Sequence, residues 1–473
     1  MTAIVWFDRD LRLADHPALG AASARHGSVV PVFVWDPDSA GDWAEGAASR
    51  WWLHHSLVRF DESLRRRGSR LVIRRGDARR VIPRLAVEAG AEAVYWCRRH
   101  QPGPRTRDGD VADELEQMGI ASSMTAGHLL FEPDTIANRA GEPYRVFTPF
   151  WRAATGMTGA LQPPEAAPDV LPEVDRELVG DAIEDLGLLP RIPWDAGLRE
   201  NWTPGEAGAR DRLEDFLSGG VRDYAQMRDR VDHAGTSRLS PHLAWGEISP
   251  RQIWWQVRQA GAGAGGDAFL REVGWREFSY HLLWHFPESA TQPLDPRFRR
   301  FEWRDDIEAL ARWQRGMTGI PLVDAGMREL WHTGWMHNRL RMVVASFLTK
   351  NLLIPWQAGA RWFWDTLVDA DLANNTQGWQ WTAGSGADAA PFFRIFNPVR
   401  QAEKADPDGR YVRRWVPELA ALPDTFVHQP WKAPDRELDR AGIIPGRDYP
   451  EPLVDLLATR RRALDRFDRI KRS

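Results

Sequence analysis

The chain of 473 residues contains a single cysteine, Cys97. No internal disulfide can form, and a metal site built on paired cysteines is excluded. Chains without disulfides suit a reducing compartment, so a cytoplasmic location is expected. The start, MTAIVWFDRDLRL, meets charge too early for a secretory signal. Long apolar runs are lacking as well. The most apolar one, MVVASFLTKNLLIPW, is interrupted by Lys350 and Asn351, so no membrane-spanning helix is expected. No GxGxxG follows the first apolar run, which weighs against a dinucleotide-binding Rossmann unit. Excess charge of either sign is missing too. The net charge is −4 with a pI near 6.4, so any face for nucleic acid must be local. Tyrosine is scarce, at 6 residues against 25 tryptophans. A core needing aromatic bulk could use Phe, and a wet interface could use Tyr. So much indole asks for a reason of its own, above all where Trp379 and Trp381 stand one residue apart.

What is present is a folded, globular composition, 43% hydrophobic and 27% charged. The first part alternates β-type runs (3–7, 29–35, 70–74 and 93–96) with amphipathic stretches such as 49–67. That alternation predicts parallel βαβ units. Residues 1–130 are read as an open α/β domain. Residues 131–202, rich in Pro, Ala, Asp and Glu around 160–200, are read as a long interdomain linker. From 203 to 473 helical periodicity dominates and strand signals vanish. Thr203, Pro204 and Glu206 are expected to open a helix as N-cap, first-turn proline and capping-box acid. The Ala/Gly run at 260–266 is expected to be a loop. The chain is expected to be monomeric.

Four later stretches carry chemistry. GTSRLSPHLAWGEISP (235–250) sets Thr236, Ser237, Arg238 and Ser240 before Pro241. It is either an anion cradle at a helix N-terminus or ordinary capping beside a surface Arg. In HTGWMHNRLRMVVASFL (332–348), read as one helix, Trp335, Asn338 and Met342 share a face. An amide in that apolar stripe needs a partner if buried, and on spacing alone the face reads as a core stripe with one satisfied Asn. LVDADLANN (367–375) carries Asp369 and Asp371, which could hold a metal or accept hydrogen bonds from arginines or ligand hydroxyls. FLREVGWREFSYHLLWHF (269–286) brings Glu272, Trp275 and Arg276 toward one helical face. They could read a planar polar ligand, or form a surface ion pair beside a core Trp.

Together with GMTGIPLVDAGMRELWHTGWMHNRLRM, DADLANNTQGWQW, DAAPFFRIFNP and the opening VWFDRDLRLADHPAL, these stretches resemble the photolyase/cryptochrome family in order and spacing. The resemblance covers nearly the whole chain, is strongest from 235 to 415, and is nearest to the bacterial class I enzymes that repair cyclobutane pyrimidine dimers. It implies an N-terminal α/β domain, a linker and a helical domain holding FAD. Carried over by motif, Tyr224, Thr236, Ser237, Arg238, Leu239 and Ser240 would hold the diphosphate side. Asp369 would pair with Arg341 beside the flavin ring, with Ala370 between it and Asp371, which would bind the sugar-like chain. Asn375 would sit beside flavin N5. Trp379, Trp356 and Trp303 match a relay that reduces the flavin, running outward in that order. Indole is comparatively easy to oxidise, which answers the question of its abundance in part. Trp381 and Trp275 match an aromatic wall for a flipped dimer. Glu272 (also counted among the flavin-site residues), Asn338 and Met342 match the other contacts to the lesion. Arg228, Arg276, Arg339, Arg394 and Gln401 match DNA-facing positions, with Arg400, Lys404, Arg410, Arg413 and Arg414 as local basic supply.

The family also uses a second, light-harvesting chromophore. Here the pattern departs, with Cys97, Gln101 and Gly103 in place of Asn, Glu and Tyr. Asp8 replaces an Arg, and Arg99 stands at the acid of the deazaflavin type. A folate, a deazaflavin or no antenna remain as alternatives. For function, the resemblance implies light-driven repair of cyclobutane dimers in UV-damaged DNA. The alternatives are a cryptochrome-type blue-light receptor and a (6-4) photoproduct photolyase.

Overall fold

Alternate residues of the first strand point into two different cores. Ala3, Val5 and Phe7 pack on one side of the sheet, Ile4 and Trp6 on the other. A strand buried on both faces needs helices above and below it, which is the setting of a parallel sheet. The computed structural model, which describes residues 2–171, 178–388 and 393–472, has that sheet. Its strands are β1 (Thr2–Phe7), β2 (Ser28–Trp35), β3 (Val72–Arg75), β4 (Ala91–Cys97) and β5 (Ala121–Thr125). All pairings are parallel, in the order β3-β2-β1-β4-β5. The order reverses beside β1, so the carboxyl ends of β1 and β4 flank the switch-point crevice where such sheets take ligands. Strand β5 had no signal in the sequence. Its residues ASSMT are largely exposed at the sheet edge, where no apolar alternation is required.

The remainder is helical. Part of the expected linker belongs to this body. Phe131, Ile136, Phe147 and Phe150 share a core with Trp254, Phe269 and Phe278, and Phe147–Gly156 is a helix. Residues 172–177 of the expected linker lie outside the described residues, as do residues 389–392 of the DAAPFFRIFNP motif. Thr203 and Pro204 do not open the following helix. It runs Glu206–Asp215 with Gly205 at the N-cap, where φ is 107°. Glu206 instead accepts hydrogen bonds from the Leu13 and Ala14 N–H groups at 3.0 Å each, tying the helical body to the loop after β1. Gly246 makes a second tie. Its φ is +64°, and a Cβ there would lie 2.2 Å from the Arg9 carbonyl oxygen.

The Ala/Gly run does not stay a loop. The 23-residue helix Gly263–His285 starts inside it and crosses the helical body. Residues 332–348 are not one helix. Pro321–Thr333 ends on Gly334 in the left-handed region, and a new helix, Asn338–Ser346, starts with His337 as its cap. Trp335 therefore lies between two helices, not on a stripe with Asn338 and Met342. The two closely spaced indoles sit on the helix Leu372–Ala383. At about 100° per residue, Trp379 and Trp381 point to opposite sides. Lys350, which interrupts the apolar run of the sequence, is fully buried and donates to the Ala383 carbonyl at 2.7 Å. Burial holds its pKa well below the usual lysine range.

Candidate active site

Arg238 is the first residue whose surroundings ask for a partner. It sits at φ 53° in the turn before the short helix Ser240–Ala244. Its guanidinium lies over Trp202 at 4.4 Å and Trp335 at 4.9 Å, and its Nε is buried without a hydrogen-bond partner. Burial pushes its pKa down to about 10, and Arg212 adds to the effect. A half-buried cation held by aromatic faces, with a buried donor unspent, fits an anionic ligand. Ser237 and Leu239 are buried beside it, Thr236 is half-buried and Ser240 is exposed. Ser240 lies in the first turn of its helix with Pro241, with Leu239 at the N-cap, and its Oγ accepts from Trp335 Nε1 at 3.1 Å.

Next to this turn the helices bring together residues distant in sequence. Arg341 meets Asp369 through two hydrogen bonds of 3.1 and 2.7 Å, with Asp369 buried. Arg9 donates to the Ala370 carbonyl at 2.9 Å, so the α/β domain holds the backbone between the two acids. Asp371 caps the helix Leu372–Ala383 through the Asn374 N–H at 2.8 Å and accepts from the Tyr280 hydroxyl. The Asn375 amide donates to the Ala360 carbonyl at 3.0 Å. Both aspartates are thus engaged by donors of the chain itself, which is not how an open metal site would look.

Glu272 and Trp275 lie one turn apart on the long helix, both half-buried. Glu272 pairs with Arg228. Arg228 lies 5.6 Å over Tyr224, which is buried against Phe216 and Phe269. Trp275 stacks on Phe147 at 3.7 Å with 9° between the planes and stays half-buried. Asn338 is exposed at the start of its helix, and Met342 is half-buried one turn on. Arg339 pairs with Asp229 at 2.5 Å. His337, buried between these arms, is pushed down to about 4. Burial is the main cause; Asp229 opposes it, and Arg339, Arg341 and Arg228 add to it. Arg228, Arg339, Arg341 and Glu272 therefore form one polar cluster. Trp381 is half-buried, with Arg394, itself exposed, 6.0 Å over its ring. Gln401 is half-buried on the helix Pro398–Ala405. Arg413, read as basic supply, is spent internally on the Leu422 carbonyl and Asp424, both at 2.7 Å.

Arg276 departs from the expectation that it faces DNA. It is buried, donates to Glu277 at 3.0 Å and reaches His128 at 3.0 Å. One position along a helix turns a side chain by about 100°, enough to swing residue 276 inward while residue 275 stays at the rim. Burial pushes Glu277 up to about 7, against the pull of Arg276 and of the Phe131 and Leu130 N–H groups. Removing the cation leaves a buried carboxylate alone, and such losses cost about 3–5 kcal/mol. Arg276→Met is therefore expected to lose about 3 kcal/mol at pH 8. A carboxyl whose pKa is raised on folding binds more protons folded than unfolded, so its stability falls as pH rises. Part of the loss should return at pH 5. Urea melts at both pH values check this, and equal losses would contradict it.

The three relay tryptophans share one core and differ in exposure. Trp379 packs against Phe363 at 5.0 Å and Trp313 at 6.2 Å, and a Cβ on Gly359 would lie 2.1 Å from its ring. Trp356 is fully buried at the start of the helix Trp356–Thr366. Trp303 is half-buried, 4.5 Å from Phe301.

Sequence reasoning missed two clusters. Tyr280 bridges Asp371 to His128, its hydroxyl 2.8 Å from His128 Nε2. Nothing in a helical YHLLWH run announces this. Asp10, His16 and Cys97 come together beneath the switch point. His16 Nε2 lies 3.1 Å from Asp10, and Nδ1 accepts from the Leu19 N–H at 3.1 Å, so both ring nitrogens are occupied. Above them opens a small cleft lined by Asp8, Arg99, His100, Gln101, Arg107 and Trp245, among others. Asp8 bridges Arg99 and Arg107 at 3.0 Å each, and Arg99 also pairs with Asp108 at 2.9 Å. These ion pairs are closed on themselves and single out neither a folate nor a deazaflavin.

The chain that builds this α/β domain and helical body matches two family models. Residues 3–169 match "DNA photolyase" and residues 269–469 match "FAD binding domain of DNA photolyase". The chain belongs to the photolyase/cryptochrome family. It is similar to the deoxyribodipyrimidine photo-lyase of Agrobacterium fabrum, with 47% identity over 99% of this chain and 98% of that one. Cryptochrome-2 of Arabidopsis thaliana is 40% identical over 96% of this chain and 76% of that protein. A solved bacterial class III photolyase from Agrobacterium tumefaciens has a TM-score of 0.96 and 46% identity, covering 100% of this chain and 98% of that one. The expected likeness to class I is thereby corrected to class III. The motifs that carried the expectation build the helical site, and they mark the family more than the class. No helix among the described residues is long and apolar enough to cross a membrane.

Proposed function

We propose that the protein is a light-driven DNA repair enzyme that splits cyclobutane pyrimidine dimers. Reduced FAD, when bound, supplies the electron for the splitting. The half-buried Arg238, with Tyr224, Thr236, Ser237, Leu239 and Ser240 around it, holds the diphosphate side. The Arg341–Asp369 pair, Ala370, Asp371 and Asn375 orient the flavin end. Glu272, Asn338 and Met342 receive the damaged bases between the walls Trp275 and Trp381. Arg228, Arg339, Arg394 and Gln401 meet the DNA strand. Trp379, Trp356 and Trp303 carry oxidising equivalents outward.

The observation that carries this reading is Trp275. One of its faces is fixed against Phe147 at 3.7 Å while the residue stays half-buried, one turn from Glu272. A fixed, half-buried indole beside a carboxylate suits a base taken out of the duplex, which such sites read by stacking and by its polar edges. Taking the base out costs least where damage has already weakened stacking. Blue light on a thymine-dimer oligonucleotide and on a (6-4) oligonucleotide should restore only the first, with no repair in the dark. Repair of the (6-4) substrate alone would refute dimer specificity. Photoreduction of the flavin with repair of neither would favour the receptor reading.

A further inference from the structure

Trp303, the half-buried end of the proposed relay, is set among guanidinium groups. Its chain neighbours Glu302 and Arg304 lie against the helix Leu456–Arg472, whose Phe467 and Leu464 belong to the same apolar cluster as Trp303. Arg469 pairs with Glu302 at 3.1 Å, and Arg466 lies 3.9 Å from the same carboxylate. Arg304 reaches Asp306 at 3.3 Å. Arg462 donates to the Asn351 carbonyl at 2.7 Å, and its Nε is buried without a partner. Its pKa is lowered, first by burial and then by the repulsion of Arg304 and Arg466. Three guanidinium groups thus meet two carboxylates, and Arg462 is held on a backbone carbonyl beside them. Residues 296–306 hold four basic and three acidic residues, and residues 456–472 hold seven and two, in a chain whose net charge is −4. The positive charge is concentrated where the relay meets solvent.

We infer that this surface receives small anionic electron donors that re-reduce Trp303 after it has passed its electron inward. The inference rests on the relay assigned above. The step is one electron: the donor loses it, oxidised Trp303 gains it, and no proton or bond changes hands. A local positive field raises the concentration and encounter rate of anions. Its reach in solution is about a Debye length, near 8 Å at physiological salt, so the guanidinium groups flanking Trp303 are those that count.

Ferrocyanide and neutral hydroquinone serve as probes. After a flash, the decay of oxidised tryptophan gives the rate constant for each donor. With the full chain at low salt, Arg466→Gln with Arg469→Gln should slow ferrocyanide about threefold, a modest share of the 10- to 1000-fold range of steering. Glu302→Gln should speed it by a similar factor. Both effects should fade near 0.5 M salt, and hydroquinone should respond to neither change. The opposite signs guard against a variant that merely perturbs the fold. Equal behaviour of the two donors, or ferrocyanide rates indifferent to salt and to both variants, would overturn the inference. Trp303→Phe separates the layers. If it leaves photoreduction unchanged, the relay assignment falls and this inference falls with it. If it stops photoreduction while the charge variants do nothing, only the inference falls.

Discussion

Trp379→Phe should abolish photoreduction of the oxidised flavin while leaving repair by chemically reduced enzyme nearly intact. Phenylalanine keeps an aromatic ring against Phe363 and Trp313 but is far harder to oxidise than indole. A barrier raised by about 3 kcal/mol already slows a step by more than about a hundredfold. Repair needs the electron to move from flavin to lesion, and that step does not pass through residue 379. The packing cost is separate. Gly359 has no Cβ because one would lie 2.1 Å from the Trp379 ring, so the smaller ring leaves a gap there. Large-to-small changes of this kind cost about 1–3 kcal/mol, and the variant should melt lower yet stay folded. Absorbance under blue light with an external donor reads the first effect. Repair after dithionite reduction reads the second. Normal photoreduction would remove Trp379 from the relay. Loss of both activities would mean that the flavin pocket itself had collapsed.

The sequence was informative where burial imposes a period. β1, β2 and β4 are buried on both faces, and their apolar runs marked them to within two residues. β5 lies at an exposed edge, where nothing forces a pattern. Helix interiors were legible but helix junctions were not. The expected helix across 332–348 breaks at Gly334, whose left-handed conformation ends one helix four residues before the next begins. Lys350 read as an interruption of an apolar run, yet it is buried and satisfied by the Ala383 carbonyl. Local charge cannot tell a solvated lysine from one that caps a helix end. The same limit explains Arg276. Its type suits a phosphate, and only the packing of the long helix against His128 and Glu277 turns it inward. Motif order, by contrast, located Arg341 and Asp369, which are 28 residues apart and form a bidentate pair. The Tyr280–Asp371–His128 chain has no local signature because its three members come from three separate segments.

Lesion binding should separate the aromatic wall from the phosphate contacts by mechanism as well as by size. Trp275→Ala should weaken binding of dimer-containing DNA by about 1–3 kcal/mol, the scale of one base stacked on an aromatic ring. Stacking releases no counterions, so the dependence of affinity on salt should keep its slope. Arg339→Ala should act in the other way. Its guanidinium, half-buried, is held by Asp229, which is 54% exposed. If it meets a phosphate, its removal should make the slope of log affinity against log salt shallower by about one unit. Damaged and intact duplex should lose similar amounts, because phosphate contacts position the strand without reading it. Trp275 also stacks on Phe147, so a thermal melt must accompany the titration. A variant that binds intact duplex normally but has lost the dimer retains its fold. Titrations at several salt concentrations with wild type and both variants decide the matter. If Trp275→Ala changes the slope and Arg339→Ala does not, the lesion pocket and the DNA face have been assigned the wrong way round.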